Sequence, residues 1–170
     1  MITKNVTVLG VDPGTRVAGF SILTLPQGRP TLVDYGALTM SGTLPLAQRV
    51  GMFHRFFDEK IVQHNVSRIA LEVPFMGKNA QSFLKLGYMR GILYLLQDKY
   101  QLEMCEFAPS EIKRSITGYG AAEKEQVARL LIRLFANLAM PDKLDITDAI
   151  AVGLCGAWHR ENVLALNRTR

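Results

Sequence analysis

Apolar residues in the first forty positions group at strand length. Residues 5–12 carry Val6-Thr7-Val8-Leu9-Gly10-Val11, a short continuous run typical of a buried strand, and Asp12-Pro13-Gly14 stops it. Residues 17–25 (VAGFSILTL) resume as a second strand, Pro26-Gln27-Gly28-Arg29-Pro30 turns the chain, and a third strand follows at about 32–39. These three predict an antiparallel meander. The period then changes. Leu46, Val50, Phe53, Phe57 and Ile61 recur at i+3/i+4 and predict a helix over 46–64, followed by a strand over 68–73. After a loop at 74–78, a helix from 79 or 80 to about 100 carries Phe83, Leu86, Met89, Ile92, Leu93 and Leu96 on one side. A strand at 104–108 leads to a short helix opened by Pro109-Ser110 and broken by Thr117-Gly118-Tyr119-Gly120. Residues 121–138 and about 143–159 predict two further helices, with Asp142 a candidate N-cap for the last. The order predicts an α/β fold, a mixed five-stranded sheet with helices on both faces. Residues 1–160 read as one domain and 161–170 as a basic tail.

Composition narrows the function classes. With 48% hydrophobic and 21% charged residues in 170, the chain has a globular profile, and no uncharged apolar run approaches the roughly 20 residues a membrane helix needs. The start lacks the apolar core of a signal peptide, so the expected location is the cytoplasm, with no membrane partner. Cys105 and Cys155 each sit in an apolar segment without a CxxC pair or Cys/His cluster, and read as buried structural thiols rather than a zinc site. The net charge of +5 nudges the reading toward a polyanionic substrate, although many soluble proteins share such an excess.

The acids say more. Asp12 and Glu72 each end a predicted strand, and Asp145 and Asp148 are spaced i, i+3 on one helix face, just ahead of an uncharged stretch. A lone charge beside apolar segments is costly to desolvate, and a divalent metal is the simplest compensation. Each acid also has a plainer explanation. Asp12 suits a turn before Pro-Gly, Glu72 suits a pair with a nearby base, and Asp145 suits a helix N-terminus. The dipole explains Asp148 poorly, because it lies about two turns in. Two strand ends and a helix start can, however, converge on one pocket, where several carboxylates repel one another unless cations bind. Residues 12–19 (DPGTRVAG) also fit a phosphate loop of the type D-x-G-T-x-x-G, shared by actin-like ATPases, sugar kinases and nucleases of related fold.

Four segments together carry a resemblance. VLGVDPGTRVAGF, ALEVPFMGKNAQSFLKLGYMRG, FAPSEIKRSITGYGAAEKEQV and LDITDAIAVGLC resemble, in order, the signature blocks of RuvC-type Holliday junction resolvases over about residues 6–159. The resemblance implies an RNase H-like fold, a homodimer, and a divalent-metal endonuclease that nicks four-way DNA junctions symmetrically. It places Asp12, Glu72, Asp145 and Asp148 at the metal-binding catalytic positions, matches Lys113 and Lys124 to functional lysines, and matches Phe75 to a base-stacking aromatic. The family often has Gln after the glutamate, where this chain has Val73-Pro74.

The expected function is therefore a metal-dependent, structure-selective endonuclease resolving Holliday junctions in recombination and repair. Phosphodiester hydrolysis needs an activated water, a clamp on the phosphate and neutralisation of the leaving oxygen, which two metals roughly 3.5–4 Å apart supply. Four carboxylates suit Mg²⁺, with Mn²⁺ the alternative. Lys113, Arg114 and Lys124 surround a glycine-rich segment and can grip phosphates; a solvated helix face is the plainer reading, favoured for Arg114. Phe75 and Lys78, in the loop after Glu72, are the other candidate DNA contacts, with a core plug as the alternative for Phe75. A branch-migration motor complex is a candidate further partner. The rival readings are a related-fold nuclease acting on RNA or RNA/DNA hybrid, an actin-like ATP-binding module, and a catalytically silent junction binder.

Overall fold

The computed structural model describes residues 6–74, 80–138 and 142–159. β1 (Thr7–Asp12) and β2 (Val17–Thr24) form a hairpin, and β3 (Thr31–Thr39) adds to its outer edge, giving the expected antiparallel meander. α1 (Leu46–His64) ends where Asn65 adopts the left-handed conformation, φ 50°. The chain then returns as β4 (Arg68–Glu72) beside β1, in parallel. α2 (Ala80–Tyr100) crosses over to β5 (Glu103–Phe107), parallel to β4. The sheet is five-stranded and mixed, in the order β3-β2-β1-β4-β5.

Strand alternation divides the core in two. Leu9, Val11, Phe20, Ile22, Ile69 and Leu71 point to one face and are covered by Phe53 and Phe57 of α1 and Met89, Leu93 and Leu96 of α2. Val8, Leu23, Ala70, Cys105 and Phe107 point to the other. There they meet α3 (Pro109–Thr117), α4 (Lys124–Leu134) and α5 (Leu144–Trp158). Both sheet faces thus carry helices, as the pattern predicted.

The helix ends on the α3–α5 side differ from the expectation. α3 opens with Pro109 at its first turn and the Glu111 carboxylate accepting from the Ala108 N–H, 3.4 Å. It closes at Gly118, φ 77°. α4 is shorter than the predicted 121–138. Gln126 Oε1 accepts from the Glu123 N–H at 3.0 Å and fixes the start, leaving Ala121 and Ala122 in the preceding turn. At the other end Phe135 turns extended, so that Phe135 and Leu138 enter the core from a turn rather than from a helix face. Their apolar spacing imitated a helical continuation. α5 starts at Leu144 with Lys143 in the cap position and no side-chain cap, so Asp142 does not serve as the N-cap. Both cysteines are buried, as expected, and burial pushes the Cys155 thiol up to about 11. Among the described residues no helix is long and apolar enough to cross a membrane.

Candidate active site

Parallel pairing sets the first two acids side by side. Val11 pairs with Leu71, so Asp12 and Glu72 are the next step along adjacent strands and emerge together at their C-terminal ends. Alternation turns both toward the α5 face, since Gly10 lies against Ala149 and Gly153, and Ala70 lies against Gly156. α5 reaches the sheet through missing side chains. A Cβ on Gly10 would collide with backbone atoms of Ala149 and Gly153, and one on Gly19 with the Asp145 carbonyl. Gly19 is the register partner of Asp12. The first turn of α5 is thereby laid over the strand ends, and Ser21 Oγ ties down the second turn by donating to the Ala149 carbonyl at 2.8 Å.

The result is a strongly anionic pocket. Asp12, Pro13, Glu72, Arg90, Lys124 and Asp148 line a cleft of ≈ 200 Å³. A second cleft, ≈ 160 Å³, continues from Glu72 and Asp148 past Lys113, Lys124 and Pro109. Burial, followed by the charges of Asp148, Asp145 and Glu72, raises the Asp12 carboxyl to about 7, against the attraction of Lys124. Glu72 is raised as well, by burial first and then by Asp148, while Lys124 and Lys113 pull it down. Asp145 lines neither cleft and joins the cluster through its charge on Asp12. Lys124 Nζ contacts Asp148 Oδ2 at 2.5 Å. Burial disfavours its charge, but that hydrogen bond and the neighbouring carboxylates hold its pKa above the usual lysine value. Among the described residues, the cations at the pocket are Lys124, Lys113 in the continuing cleft, and Arg90, whose guanidinium is engaged by Glu106; they do not offset the burial and mutual repulsion that raise Asp12.

The donor set fits hard divalent cations, because every ligand atom offered by the four acids is a carboxylate oxygen. They are not drawn onto a single point. Among the described residues, the His, Cys, Asp or Glu trio whose ligand atoms lie within 4.8 Å of one another is Glu103, Cys105 and His159, away from this pocket.

Of the remaining sequence candidates, Lys113 faces the second cleft, and Arg114 is exposed and lines neither. Phe75 and Lys78 lie outside the described residues, as does the tail at 161–170. The structure adds residues that the sequence reading did not name. Arg90 is 5% exposed behind the pocket. Its Nη1 donates to the Glu72 carbonyl at 2.7 Å, and its Nη2 pairs with Glu106, which also accepts from Tyr94 Oη at 2.6 Å. An arginine on the apolar side of a helix beside Met89 and Leu93 was the available signal. Arg90→Ala strands the Glu72 carbonyl and should cost about 2–3 kcal/mol, read as a lowered urea midpoint. Arg129 and Arg133 line a further groove with Tyr119 and Gln126 on the outer side of α4.

Residues 8–156 match the family profile "Crossover junction endodeoxyribonuclease RuvC". The chain belongs to the RuvC family. Among curated members, it is 35% identical over 157 residues to the RuvC of Chloroherpeton thalassium, covering 92% of this chain and 84% of that one. It is 38% identical over 148 residues to the RuvC of Chlorobaculum parvum, covering 87% and 79%. A solved structure of T. thermophilus RuvC in complex with Holliday junction substrate superposes with a TM-score of 0.81 at 23% identity, over 88% of this chain and 91% of that chain. The yeast mitochondrial Holliday junction resolvase Ydc2 follows at a TM-score of 0.66 and 14% identity, over 89% and 76%. The fold is RNase H-like. RuvC enzymes are crossover junction endodeoxyribonucleases, metal-dependent and hydrolytic, so family membership sets aside the actin-like reading.

Proposed function

We propose that this chain resolves four-way DNA junctions as a homodimer, with Mg²⁺ held by Asp12, Glu72, Asp145 and Asp148. The observation that carries the reading is the convergence of these acids at two strand ends and the start of α5, with Asp12 raised to about 7 by burial and then by the neighbouring carboxylates. Two bound Mg²⁺ ions would supply an acidified water and neutralise the leaving oxygen, with Mn²⁺ able to substitute. The chain's own residues prepare that chemistry. Arg90 fixes the Glu72 backbone from behind. Lys124 partly neutralises Asp148 and Glu72 while cations are absent. Were cations to take over that charge, the Lys124 ammonium would be free to bind a substrate phosphate, with Lys113 along the same cleft. Arg114 and the groove of Arg129, Arg133 and Tyr119 extend the cationic surface for the DNA arms. Phe75 and Lys78 follow Glu72 in sequence, where a ring can stack on junction bases for about 1–3 kcal/mol per base.

Two symmetric nicks require two active sites related by a twofold axis. α2 offers the surface. Leu84, Gly87, Tyr88, Gly91 and Leu95 are exposed at i, i+3, i+4, i+7 and i+11, and nothing lies within 4 Å of where the glycine Cβ atoms would be. The glycines therefore do not pack against the chain's own sheet. Joint Leu84→Glu and Leu95→Glu substitution should convert the dimer to a monomer by sedimentation and abolish paired cutting. A wild-type monomer at working concentration, binding junctions one to one, would refute the dimer. We further place 1–160 as one nuclease domain, working in the cytoplasm, with a branch-migration motor complex as a candidate partner. The deciding experiment is to incubate the protein with a synthetic four-way junction, a matched linear duplex and an RNA/DNA hybrid in Mg²⁺ and map the nicks. Paired nicks on opposite arms of the junction support the assignment, and preferential cutting of the hybrid or the duplex overturns it.

A further inference from the structure

The trio set apart above lies at the opposite end of the molecule from the acids. Glu103 opens β5, where it pairs with Arg68 at the start of β4, while Glu72 lies four residues further along at the strand's other end. At roughly 3.3 Å per residue that is about 13 Å. His159 follows α5, fourteen residues beyond Asp145, or about 21 Å along a helix. We infer that Glu103, Cys105 and His159 form a binding site for a borderline-soft divalent ion of the Zn²⁺ class, distinct from the acid pocket.

Three observations carry this. The first is the donor chemistry: one carboxylate oxygen, one thiol sulfur and one imidazole nitrogen within 4.8 Å of one another. Thiolate and imidazole select zinc-like ions and reject Mg²⁺. The second is spacing. The Cys105 thiol donates to Glu103 Oε1 at 3.4 Å, a hydrogen bond whose proton a bound metal would replace. Tetrahedral zinc with bonds of about 2.3 Å to sulfur and 2.1 Å to oxygen places those two atoms about 3.6 Å apart. The pair is already at ligand separation. The third is the support behind the ligands. Arg68 is 6% exposed, and its Nε and Nη2 hold Glu103 Oε2 at 2.6 Å, turning Oε1 toward the sulfur. Its Nη1 donates to the Gly156 and His159 carbonyls at 2.6 and 3.0 Å, fixing the histidine backbone. The His159 ring packs edge-on against Phe107 at 5.7 Å. One buried guanidinium thus orients the Glu103 carboxylate, as an outer group around a metal does, and fixes the backbone that carries His159. His159 is exposed, leaving the fourth position open to water. Binding would take the Cys105 proton to solvent and tie the end of α5 to β5.

The test uses the whole chain, stripped with chelator and titrated with Co²⁺. The expected result is a near-ultraviolet thiolate-to-metal charge-transfer band that saturates at one Co²⁺ per chain, is abolished by Zn²⁺ and is unaffected by a large excess of Mg²⁺; Co²⁺ taken up by the acid pocket, which offers no thiolate, gives no such band. Cys105→Ala should remove the band. Because Cys105 is buried, that substitution also perturbs packing, so His159→Gln, at an exposed side chain, isolates ligand loss. It should weaken Co²⁺ binding by about tenfold or more. A wild-type protein without the band, a band unchanged in His159→Gln, or one lost on adding Mg²⁺ would each overturn the assignment.

Discussion

Asp12→Asn is expected to lower junction cleavage by orders of magnitude while making the metal-free protein more stable at pH 8. The two effects share one cause. The Asp12 carboxyl is raised from 3.8 to about 7, by burial and then by Asp148, Asp145 and Glu72. Between those pH values the folded chain holds a proton that the unfolded chain has released. Stability therefore falls as pH rises from about 4 to 7, by as much as roughly 4 kcal/mol for a shift of this size. Glu72, raised in the same direction, adds to the slope. Asparagine keeps the shape, removes the charge and should flatten the dependence. Mg²⁺ binding to the wild type must expel the remaining proton, so affinity should rise through pH 7 and calorimetry below it should register proton release. Asp12→Asn should lose both signatures and keep, or strengthen, junction binding. Substantial Mg²⁺-dependent cutting by this variant, or a pH slope equal to that of the wild type, would remove Asp12 from the metal site.

What the sequence could and could not disclose follows from the range of each interaction. Asp12 and Glu72 were legible because each ends a short apolar run, and local punctuation is what a sequence displays best. The i, i+3 spacing of Asp145 and Asp148 was equally local. The two-faced mixed sheet followed from the order of the periods. The far end of α4 was misjudged because Phe135 and Leu138 have helical spacing but reach the core from a turn. Arg90 escaped notice because its role depends on the Glu72 carbonyl, eighteen positions away in the chain. The Glu103–Cys105–His159 trio was invisible for the same reason, and Cys105 was read only as a buried thiol. Of the glycines on which α5 rests, Gly10 looked like an ordinary strand glycine and Gly19 like the end of a phosphate-loop pattern until the helix was laid across them.

Those glycines set the second large effect. Gly19→Ala should lower activity far more than its added methyl group suggests. The new Cβ would collide with the Asp145 carbonyl, and that carbonyl is backbone in the first turn of α5, which cannot swing aside as a side chain can. The helix start must lift from the sheet or β2 must sink. Either movement changes the position of Asp145 relative to Asp12, which lies opposite Gly19 in the strand register. Overpacking of this kind costs about 1–3 kcal/mol, so most molecules should remain folded at 25 °C. Displacement of a catalytic group by about 1 Å can cost roughly a hundredfold in rate. Gly10→Ala is the control. Its Cβ meets the Ala149 carbonyl and the Gly153 backbone further along α5. It should destabilise at least as much with a smaller loss of cleavage per folded molecule. Measuring melting temperature and single-turnover cleavage for both variants separates the two expectations. Equal losses of activity per folded molecule would mean that α5 moves as one rigid rod and that Gly19 has no special role in placing Asp145.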